Sequence, residues 1–194
     1  MGNRCVCYCD DCQSFAHALG RANEIVDANG GTEIFQTFPR RIEFTHGRSE
    51  IACLRLSESG MFRWYAGCCN TPIGNTPSTN RVLFVGLIHS CMSEVAVDGR
   101  ARDEVLGPIR MRGFARFAKG DPGPLDAVDT VEGIPLAMGE RVTALIAEGM
   151  AAGTADGEAG FGAFFDAQSG EPIALPRVLS SVELLAVERA RDEA

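Results

Sequence analysis

Three cysteines near the amino terminus have the spacing of a metal site. Cys7, Cys9 and Cys12 form the pattern C-x-C-x-x-C. Residues i and i+2 of an extended strand point to the same side about 6.6 Å apart, so Cys7 and Cys9 can lean onto one ion. A helix that starts near Cys12 would add a third sulfur and would favour its thiolate form. Zinc, which binds thiolates in a tetrahedron, is the metal that this pattern favours.

For three further cysteines the sequence does not decide whether they bind the metal. Cys5 lies about 13 Å from Cys9 along an extended strand, so it joins the same ion only if the strand bends. Cys68 and Cys69 are adjacent and would point apart in a strand, with one facing a metal and the other packing in the core. The residues alone do not decide which of the two is the ligand. The pair would instead form a vicinal disulfide if the protein is a redox protein.

The remaining cysteines and the histidines are predicted to be structural. Cys53 lies in an apolar strand and Cys91 follows one. Free cysteine packs as a small hydrophobe, so both are expected in the core. His17 lies in the first helix, His46 in a turn and His89 at the end of a strand, and each is expected to be structural or solvated rather than a ligand.

The first half of the sequence predicts one helix followed by short strands. From Cys12 to Val26 apolar residues recur every third or fourth position, which predicts a helix that Asn29-Gly30-Gly31 ends. Short apolar segments with polar or glycine-containing turns follow, which is typical of antiparallel β structure. These predicted strands cover residues 32–37, 41–45, 51–56, 61–65 and 82–88.

The second half is predicted to mix helices and strands. Helices are expected within 98–106, over 139–152 and over 180–191, the last capped by Ser180 or Ser181. Residues 153–160 are rich in Gly, Ala and acidic residues and predict a mobile surface loop, and 164–173 predict a strand, a turn and a strand. The fold class is therefore predicted as mainly β. A small zinc-binding core of antiparallel strands takes residues 1–92, and an α+β extension takes residues 93–194.

The composition argues against several classes of function. Lys and Arg number 18 against 26 Asp and Glu, a net charge of −8, which disfavours a general nucleic-acid binder or a binder of anionic membranes. No apolar run approaches the roughly 18–20 residues that span a bilayer. The start Met-Gly-Asn-Arg has no hydrophobic segment of a secretory signal, so we expect a cytoplasmic protein with reduced thiols. Eight cysteines in such a protein indicate metal binding or catalysis.

The cysteine motifs resemble those of the glutathione-dependent formaldehyde-activating enzyme family, which includes centromere protein V. The family's first motif is C-x-C-x-x-C followed by Arg, Gln or Lys, and here Gln13 follows Cys12. Its second motif, Phe-Cys-x-x-Cys-Gly-Thr-Pro-Leu, corresponds to residues 62–73. The segments 42–47 and 82–88 also fit, so the resemblance covers about residues 4–92. It implies a small zinc-bearing β fold called a β-tent.

The resemblance implies that Cys7, Cys9 and Cys12 hold the zinc that faces substrate. It also implies a second, structural zinc bound by an upstream C-x-C and the later C-x-x-C, and there the sequence departs from the family. No upstream C-x-C-Gly segment is present, and Ala66 replaces the first cysteine of the later pair. Either the true start lies upstream, or the second zinc is absent, or a cysteine of the later pair completes the first site. We favour the last alternative, with Cys69 as the fourth ligand, and expect one zinc ion.

The resemblance implies a carbon–sulfur lyase that acts on glutathione–aldehyde adducts, with a small thiol or aldehyde-type compound as the substrate. Zinc would polarise the carbonyl oxygen or lower the pKa of the thiol. Arg63, Arg110 and Arg112 are candidates to bind glutathione carboxylates, the alternative being that they lie on solvated strand faces. The competing hypothesis is a zinc-stabilised binding module without turnover, which a closed site made of cysteines alone would indicate. The sequence assigns neither catalytic residues nor an oligomeric state.

Overall fold

One eight-stranded sheet runs through the protein. The computed structural model describes residues 2–79, 84–123, 132–134, 136–155 and 162–194. The strands are β1 (Asn3–Cys7), β2 (Thr32–Thr37), β3 (Ile51–Arg55), β4 (Phe62–Ala66), β5 (Thr71–Thr76), β6 (Val85–Ile88), β7 (Met111–Gly113) and β8 (Pro176–Val178). The helices are α1 (Asp10–Ala18), α2 (Ala22–Ile25), α3 (Arg102–Leu106), α4 (Leu136–Ala155) and α5 (Ser181–Glu193).

The middle of the sheet is antiparallel and its two edges are parallel. The strand order is β7-β1-β2-β6-β5-β4-β3-β8. β7 pairs in parallel with β1, and β8 pairs in parallel with β3, whereas the other neighbours are antiparallel. Parallel neighbours require a long crossover, so each edge strand comes from far along the chain. Strands from both predicted ranges, 1–92 and 93–194, therefore belong to one sheet.

The secondary structure is more helical than the sequence predicted. Helix accounts for 36% of the chain and strand for 25%. These proportions do not show a mainly β protein, and the sheet is mixed rather than purely antiparallel. The predicted antiparallel core is present in the six central strands. Of the described helices, none combines the length and the apolar character that crossing a bilayer requires.

Two predicted elements in the first half are wrong. The single helix from Cys12 to Val26 is two helices, because the chain leaves α1 after Ala18 and Gly20 adopts φ +67°, which an extended helix cannot contain. Residues 41–45 do not form a strand, since a 3₁₀ turn occupies Pro39–Arg41 and irregular backbone follows. Proline at the start of that turn has no backbone N–H to offer a sheet.

The other element predictions hold to varying extents. β2, β3 and β4 match the predicted strands closely, and β6 is the described part of the strand predicted over 82–88. The segment over 164–173 has only a 3₁₀ turn and an isolated bridge between Phe165 and Pro172. α4 extends through Ala155, so the predicted loop over 153–160 is wrong for its first residues, and 156–160 lie outside the described residues. None of the predicted strands corresponds to β5, β7 or β8.

The sheet buries apolar side chains on both of its faces. Alternate residues of a strand point to opposite sides, so Leu54 lies in one core cluster and Cys53 in the other. We call the first cluster the helix-side core, because it includes Phe15 of α1. The second, which we call the aromatic core, contains Trp64 and Phe164. Burial on both faces explains why the strands lack a clean alternation of apolar and polar residues.

Candidate metal centre

The three predicted cysteines lie at the junction between β1 and α1. Cys7 is the last residue of β1, where it pairs with Gly113 of β7. Cys9 is the N-cap of α1, and its sulfur accepts a hydrogen bond from the backbone N–H of Cys12 at 3.4 Å. α1 begins at Asp10, so Cys12 lies in its first turn, where unpaired N–H groups favour a negatively charged sulfur.

The spacing of the three sulfur atoms fits a tetrahedral ion. The ligand atoms of Cys7, Cys9 and Cys12 all lie within 4.8 Å of one another, and Cys7 Sγ lies 3.3 Å from Cys9 Sγ. Metal–sulfur bonds of about 2.3 Å in a tetrahedron place neighbouring sulfurs about 3.8 Å apart, so small side-chain movements bring all three onto one ion. Among the described residues this is the one group of three or more potential ligands. Thiolates alone favour a soft or borderline metal.

A buried arginine lies beside the cluster. Arg63 is 2% exposed, and because its neighbour Trp64 points into the aromatic core, Arg63 points to the α1 side of the sheet. Its guanidinium donates to Asp11 Oδ2 at 3.0 Å and to Asn75 Oδ1 at 3.4 Å, and its Cζ lies 5.5 Å from the centre of the Phe15 ring. Three thiolates around a divalent ion carry one net negative charge, which Arg63 is placed to neutralise.

Interactions within the cluster shift the pKa values of its thiols in opposite directions. Hydrogen bonds from Cys7 and Cys9, and then the charge of Arg63, hold the pKa of Cys12 well below its usual value despite burial. Hydrogen bonds with Cys12 and Cys9, and then burial, raise the pKa of Cys7. A metal bound by these sulfurs would have to compete with their protons, so its binding should weaken as the pH falls.

The cluster opens onto a cavity of about 280 Å³ on the α1 side of the sheet. Its floor consists of residues from neighbouring strands that point to the same face. Gly86 in this floor lies close to β2, since a Cβ there would come within 2.8 Å of Ile34 Cγ2. Side chains of both polar and apolar character complete the lining, namely Cys5, Asp11, Ile34, Gln36, Met61, Arg63, Asn75, Phe84, Phe114 and Ile134.

Apart from the thiols, few polar groups line this cavity. Asp11 is the only carboxylate among the described lining residues, and 58% of its side chain is exposed. The amides of Gln36 and Asn75 are buried in the floor. A mostly apolar concave site with a small number of polar groups is the usual form of a small-molecule site. The arrangement therefore joins a possible metal centre to a space that a small ligand can enter.

The predicted fourth ligand lies at the other end of α1. Cys69 is exposed between β4 and β5, and its carbonyl accepts a hydrogen bond from Arg21 Nη1 at 2.9 Å. The adjacent Asn70 donates to the carbonyl of Leu19 at 3.2 Å. Leu19 caps the C-terminal end of α1, roughly 10 Å along the helix axis from Cys12. Cys69 is not in the three-cysteine group, and its assignment as a ligand stays a prediction that this geometry does not support.

The other cysteines occupy varied positions. Cys5 is buried and lines the cavity outside the three-cysteine group, and burial raises its pKa. Cys53 lies in the aromatic core as predicted, and burial raises its pKa to about 12. Cys91 is only half-buried and donates to the carbonyl of Ile88 at 2.9 Å. Burial raises the pKa of Cys91 to about 11, which disfavours its thiolate form. Cys91 belongs to neither core cluster, so its predicted place in the core is wrong.

The predicted carboxylate-binding arginines are not brought together. Of the three, Arg63 lines the cavity, whereas Arg110 is exposed and Arg112 lies near Tyr8. The burial of Arg63 contradicts the solvated strand face that was the alternative for it. A signal for this burial is the alternation in β4, where Phe62 and Trp64 occupy one face and leave Arg63 on the other, which a helix covers.

Sequence reasoning missed an ion-pair network at the start of β1. The buried Arg4 pairs with Glu33 and, through Nη2, with Asp103 Oδ2 at 3.0 Å. His89 Nε2 lies 3.1 Å from Glu33 Oε1 and 2.8 Å from Asp103 Oδ1, so His89 belongs to the same network. Arg4 also donates to the carbonyl of Gly107 at 2.8 Å. These residues lie far apart in sequence, so no local motif contains them.

Comparisons with known proteins give one finding. A family model described as "Family of unknown function (DUF6151)" matches residues 3–165. The matched range includes the cysteine cluster, the cavity floor and Phe164 of the aromatic core. Searches of the curated proteins and of the solved structures find no match.

Proposed function

The chain belongs to the family of unknown function DUF6151, and we propose from its site that it is a zinc protein that cleaves the carbon–sulfur bond of thiol–aldehyde adducts. The observation that carries this proposal is the opening of the three-sulfur cluster onto the cavity. Three thiolates leave one tetrahedral position without a protein ligand, and such an open position is typical of catalytic zinc. Resemblance of residues 4–92 to the formaldehyde-activating family supports the same reading and the finer assignment of a β-tent core.

Each residue around the cavity has a role in this proposal. Cys7, Cys9 and Cys12 hold the ion, which when bound supplies a Lewis acid that lowers the pKa of a thiol or polarises a carbonyl. Arg63 neutralises the net negative charge of the centre and holds Asp11 at the cavity wall. The apolar residues of the lining exclude water, which strengthens electrostatic interactions inside.

The proposed reaction separates an S-hydroxymethyl thiol into the free thiol and formaldehyde. The carbon–sulfur bond breaks and its electron pair stays on sulfur, while the hydroxyl oxygen forms the carbonyl double bond. We assign acceptance of the hydroxyl proton to Asp11, the one carboxylate among the described lining residues, and the proton then passes to the departing sulfur. No oxidant or reductant is needed, and the reverse steps join the thiol to the aldehyde.

Glutathione is the thiol that the resemblance favours. A cavity of about 280 Å³ accommodates the hydroxymethylated sulfur end, and the rest of the tripeptide would lie towards its mouth. Arg63 is already paired with Asp11 and Asn75, so we do not assign it to a substrate carboxylate. The substrate class is therefore proposed from the reacting end of the adduct, which the cavity would enclose.

The test is the exchange between glutathione, ¹³C-formaldehyde and their adduct, followed by NMR on zinc-loaded protein. We expect the protein to accelerate exchange over the buffer rate, and C9S to abolish the acceleration together with zinc binding. D11N should bind zinc and exchange more slowly. C91S is the matched control, since it removes a thiol outside the cluster and should leave both properties unchanged.

Cobalt substitution distinguishes this proposal from the non-catalytic binding module. An open position predicts that added thiol changes the visible spectrum of the cobalt protein, because the thiol enters the coordination sphere. A closed site predicts no change. Exchange at the buffer rate with fully zinc-loaded protein would contradict the enzymatic proposal, and an unchanged cobalt spectrum would then favour the binding module.

A further inference from the structure

A second pair of thiols is exposed away from the cluster. Cys68 Sγ lies 3.6 Å from Cys69 Sγ, and both residues are exposed. Cys69 Sγ also lies 3.1 Å from Thr71 Oγ1. Adjacent cysteines in a regular strand would point apart, whereas here a turn brings both sulfurs to one side.

Hydrogen bonds to two elements hold this turn in place. The N–H groups of Cys69 and Asn70 donate to the carbonyl of Ala66 at 3.3 and 2.8 Å. Asn70 has φ +55°, and its side chain donates to the carbonyl of Leu19, while Arg21 donates to the carbonyl of Cys69. The left-handed conformation of Asn70 is thus maintained by contacts with the end of α1. The two sulfurs are therefore presented together by ordered backbone.

The residues around Cys68 and Cys69 limit the kind of ligand that the two sulfurs can bind. Among the described residues, no third cysteine, histidine or carboxylate forms a group of possible ligands with these two sulfurs. A tetrahedral ion such as zinc would need further ligands, which none of the described residues supplies here. The pair is better suited to a ligand atom that takes two sulfurs from the protein and already carries a third substituent of its own.

We propose that Cys68 and Cys69 form a dithiol site for trivalent organoarsenicals, distinct from the three-cysteine cluster. Both side chains are exposed, so rotation about χ1 is free to bring the sulfurs onto one arsenic atom. With phenylarsine oxide the reaction forms two arsenic–sulfur bonds. The two thiol protons combine with the oxide oxygen and leave as one water molecule, and arsenic remains trivalent throughout.

The experiment compares phenylarsine oxide uptake by the unchanged protein with uptake by C68S and by C69S. Intact-mass spectrometry counts the phenylarsenic groups bound, and titration counts the thiols lost. We expect each single variant to bind one phenylarsenic group fewer than the unchanged protein. Titration should show two fewer thiols lost on treatment, with the remaining cysteine of the pair still free. Loss of the second sulfur removes an intramolecular bond, so the affinity of the remaining thiol should fall on the order of 100-fold.

The result is the difference in uptake between the unchanged protein and each variant. Any arsenic bound by the three-cysteine cluster is common to all of them and does not affect this difference. Release of the bound group by a small dithiol, but not by an equal concentration of a monothiol, should accompany uptake at this pair. C91S is the matched control and should behave as the unchanged protein. Equal uptake by the unchanged protein, C68S and C69S would overturn the proposal, as would uptake that a monothiol reverses. Both serine variants alter exposed side chains, so circular dichroism should show an unchanged fold.

Discussion

Arg63 sets the charge balance of the cysteine cluster. A guanidinium that is 2% exposed is costly to bury unless anionic partners surround it. Asp11 supplies one such partner at 3.0 Å, and the charge of the Cys12 thiolate raises the pKa of Arg63 against the opposing effect of burial. With a divalent ion bound to three thiolates, the arginine and the centre have opposite net charges and stabilise each other.

Replacing Arg63 should therefore weaken metal binding. R63M removes the buried positive charge at similar side-chain length, and loss of a charge-assisted interaction of about 1.5–3 kcal/mol corresponds to roughly a 10- to 100-fold weaker affinity for zinc. Competition with a chromophoric chelator measures this affinity, and R63K should recover part of it. R55M is the matched control, because Arg55 of β3 donates to the carbonyl of Gly60 at 3.2 Å and its guanidinium lies over the ring of Phe62, away from the cluster. Equal zinc affinities of R63M and R55M would contradict a role for Arg63 in charge balance.

For individual residues, the sequence predicted those site residues that are close together in the chain. It missed those whose position depends on tertiary contacts. C-x-C-x-x-C identifies Cys7, Cys9 and Cys12 because their spacing alone brings the sulfurs together across a strand and a helix start. Cys69 could not be placed in the same way, since its position depends on how the β4–β5 turn docks on α1. The burial of Arg63 likewise depends on which element covers its face of the sheet.

Two helices position the site, and each has a visible start signal. α1 begins at the cluster itself, where Cys9 replaces the usual serine or aspartate as the N-cap. α5 packs near α1, with Arg191 Nη1 donating to Ser14 Oγ at 3.1 Å. The start of α5 was predictable from Ser180 and Glu183, which form a capping box. The break after α1 was harder to predict, because apolar spacing continues through it while Gly20 turns the chain.

Removing the α5 cap should destabilise the protein in a pH-dependent way. Ser180 Oγ accepts from the N–H of Glu183 at 3.3 Å, and Glu183 Oε2 accepts from the N–H of Ser180 at 2.8 Å. S180A should lower the free energy of unfolding by about 1 kcal/mol at neutral pH. S181A is the matched control, since Ser181 is exposed in the first turn and alanine is a good helix former there.

The pH dependence follows from the carboxylate of this cap. Hydrogen bonds from Ser180, and then Arg177, lower the pKa of Glu183 to about 2. A lowered folded-state pKa contributes stability above the unfolded-state value of about 4.5, and this contribution is lost as the pH falls towards about 2. The difference between the unchanged protein and S180A in urea unfolding should therefore shrink below about pH 4. A difference that is constant from pH 7 to pH 3, or equal effects of S180A and S181A, would contradict this account.

Contacts between distant parts of the chain complete both the sheet and the core of the protein. β7 and β8 complete the two edges of a sheet whose other strands come from the first half, and residues near 164 fill the core beneath β4. The sequence indicated β2, β3, β4 and β6, whose apolar runs and turns are local, but it did not indicate the central strand β5. It did not indicate the edge strands, which are three residues each and whose pairing arises only from the folded topology. The mixed character of the sheet could not be predicted for the same reason.

Phe164 tests how strongly this long-range packing stabilises the fold. Its ring is fully buried, with its centre 5.1 Å from that of Trp64 and 5.3 Å from that of Phe44. F164A should lower the free energy of unfolding by about 3–5 kcal/mol, a large part of the roughly 5–15 kcal/mol of a typical domain. Urea unfolding followed by fluorescence of Trp64, the single tryptophan, measures the change. L175A is the matched control, because Leu175 is 93% exposed and its truncation should change stability by less than about 0.5 kcal/mol.

F164A also distinguishes the stability of the fold from the zinc affinity of the metal centre. Phe164 belongs to the aromatic core, whereas Cys12 and Phe15 belong to the helix-side core across the sheet. Zinc affinity of folded F164A should therefore stay within a few-fold of that of the unchanged protein, although its midpoint in urea falls. Bound zinc should in turn raise the midpoints of F164A and of the unchanged protein, because a ligand that binds only the folded state stabilises it. Similar midpoints of F164A and L175A would show that the second half of the chain adds little to the core, contrary to the burial of Phe164.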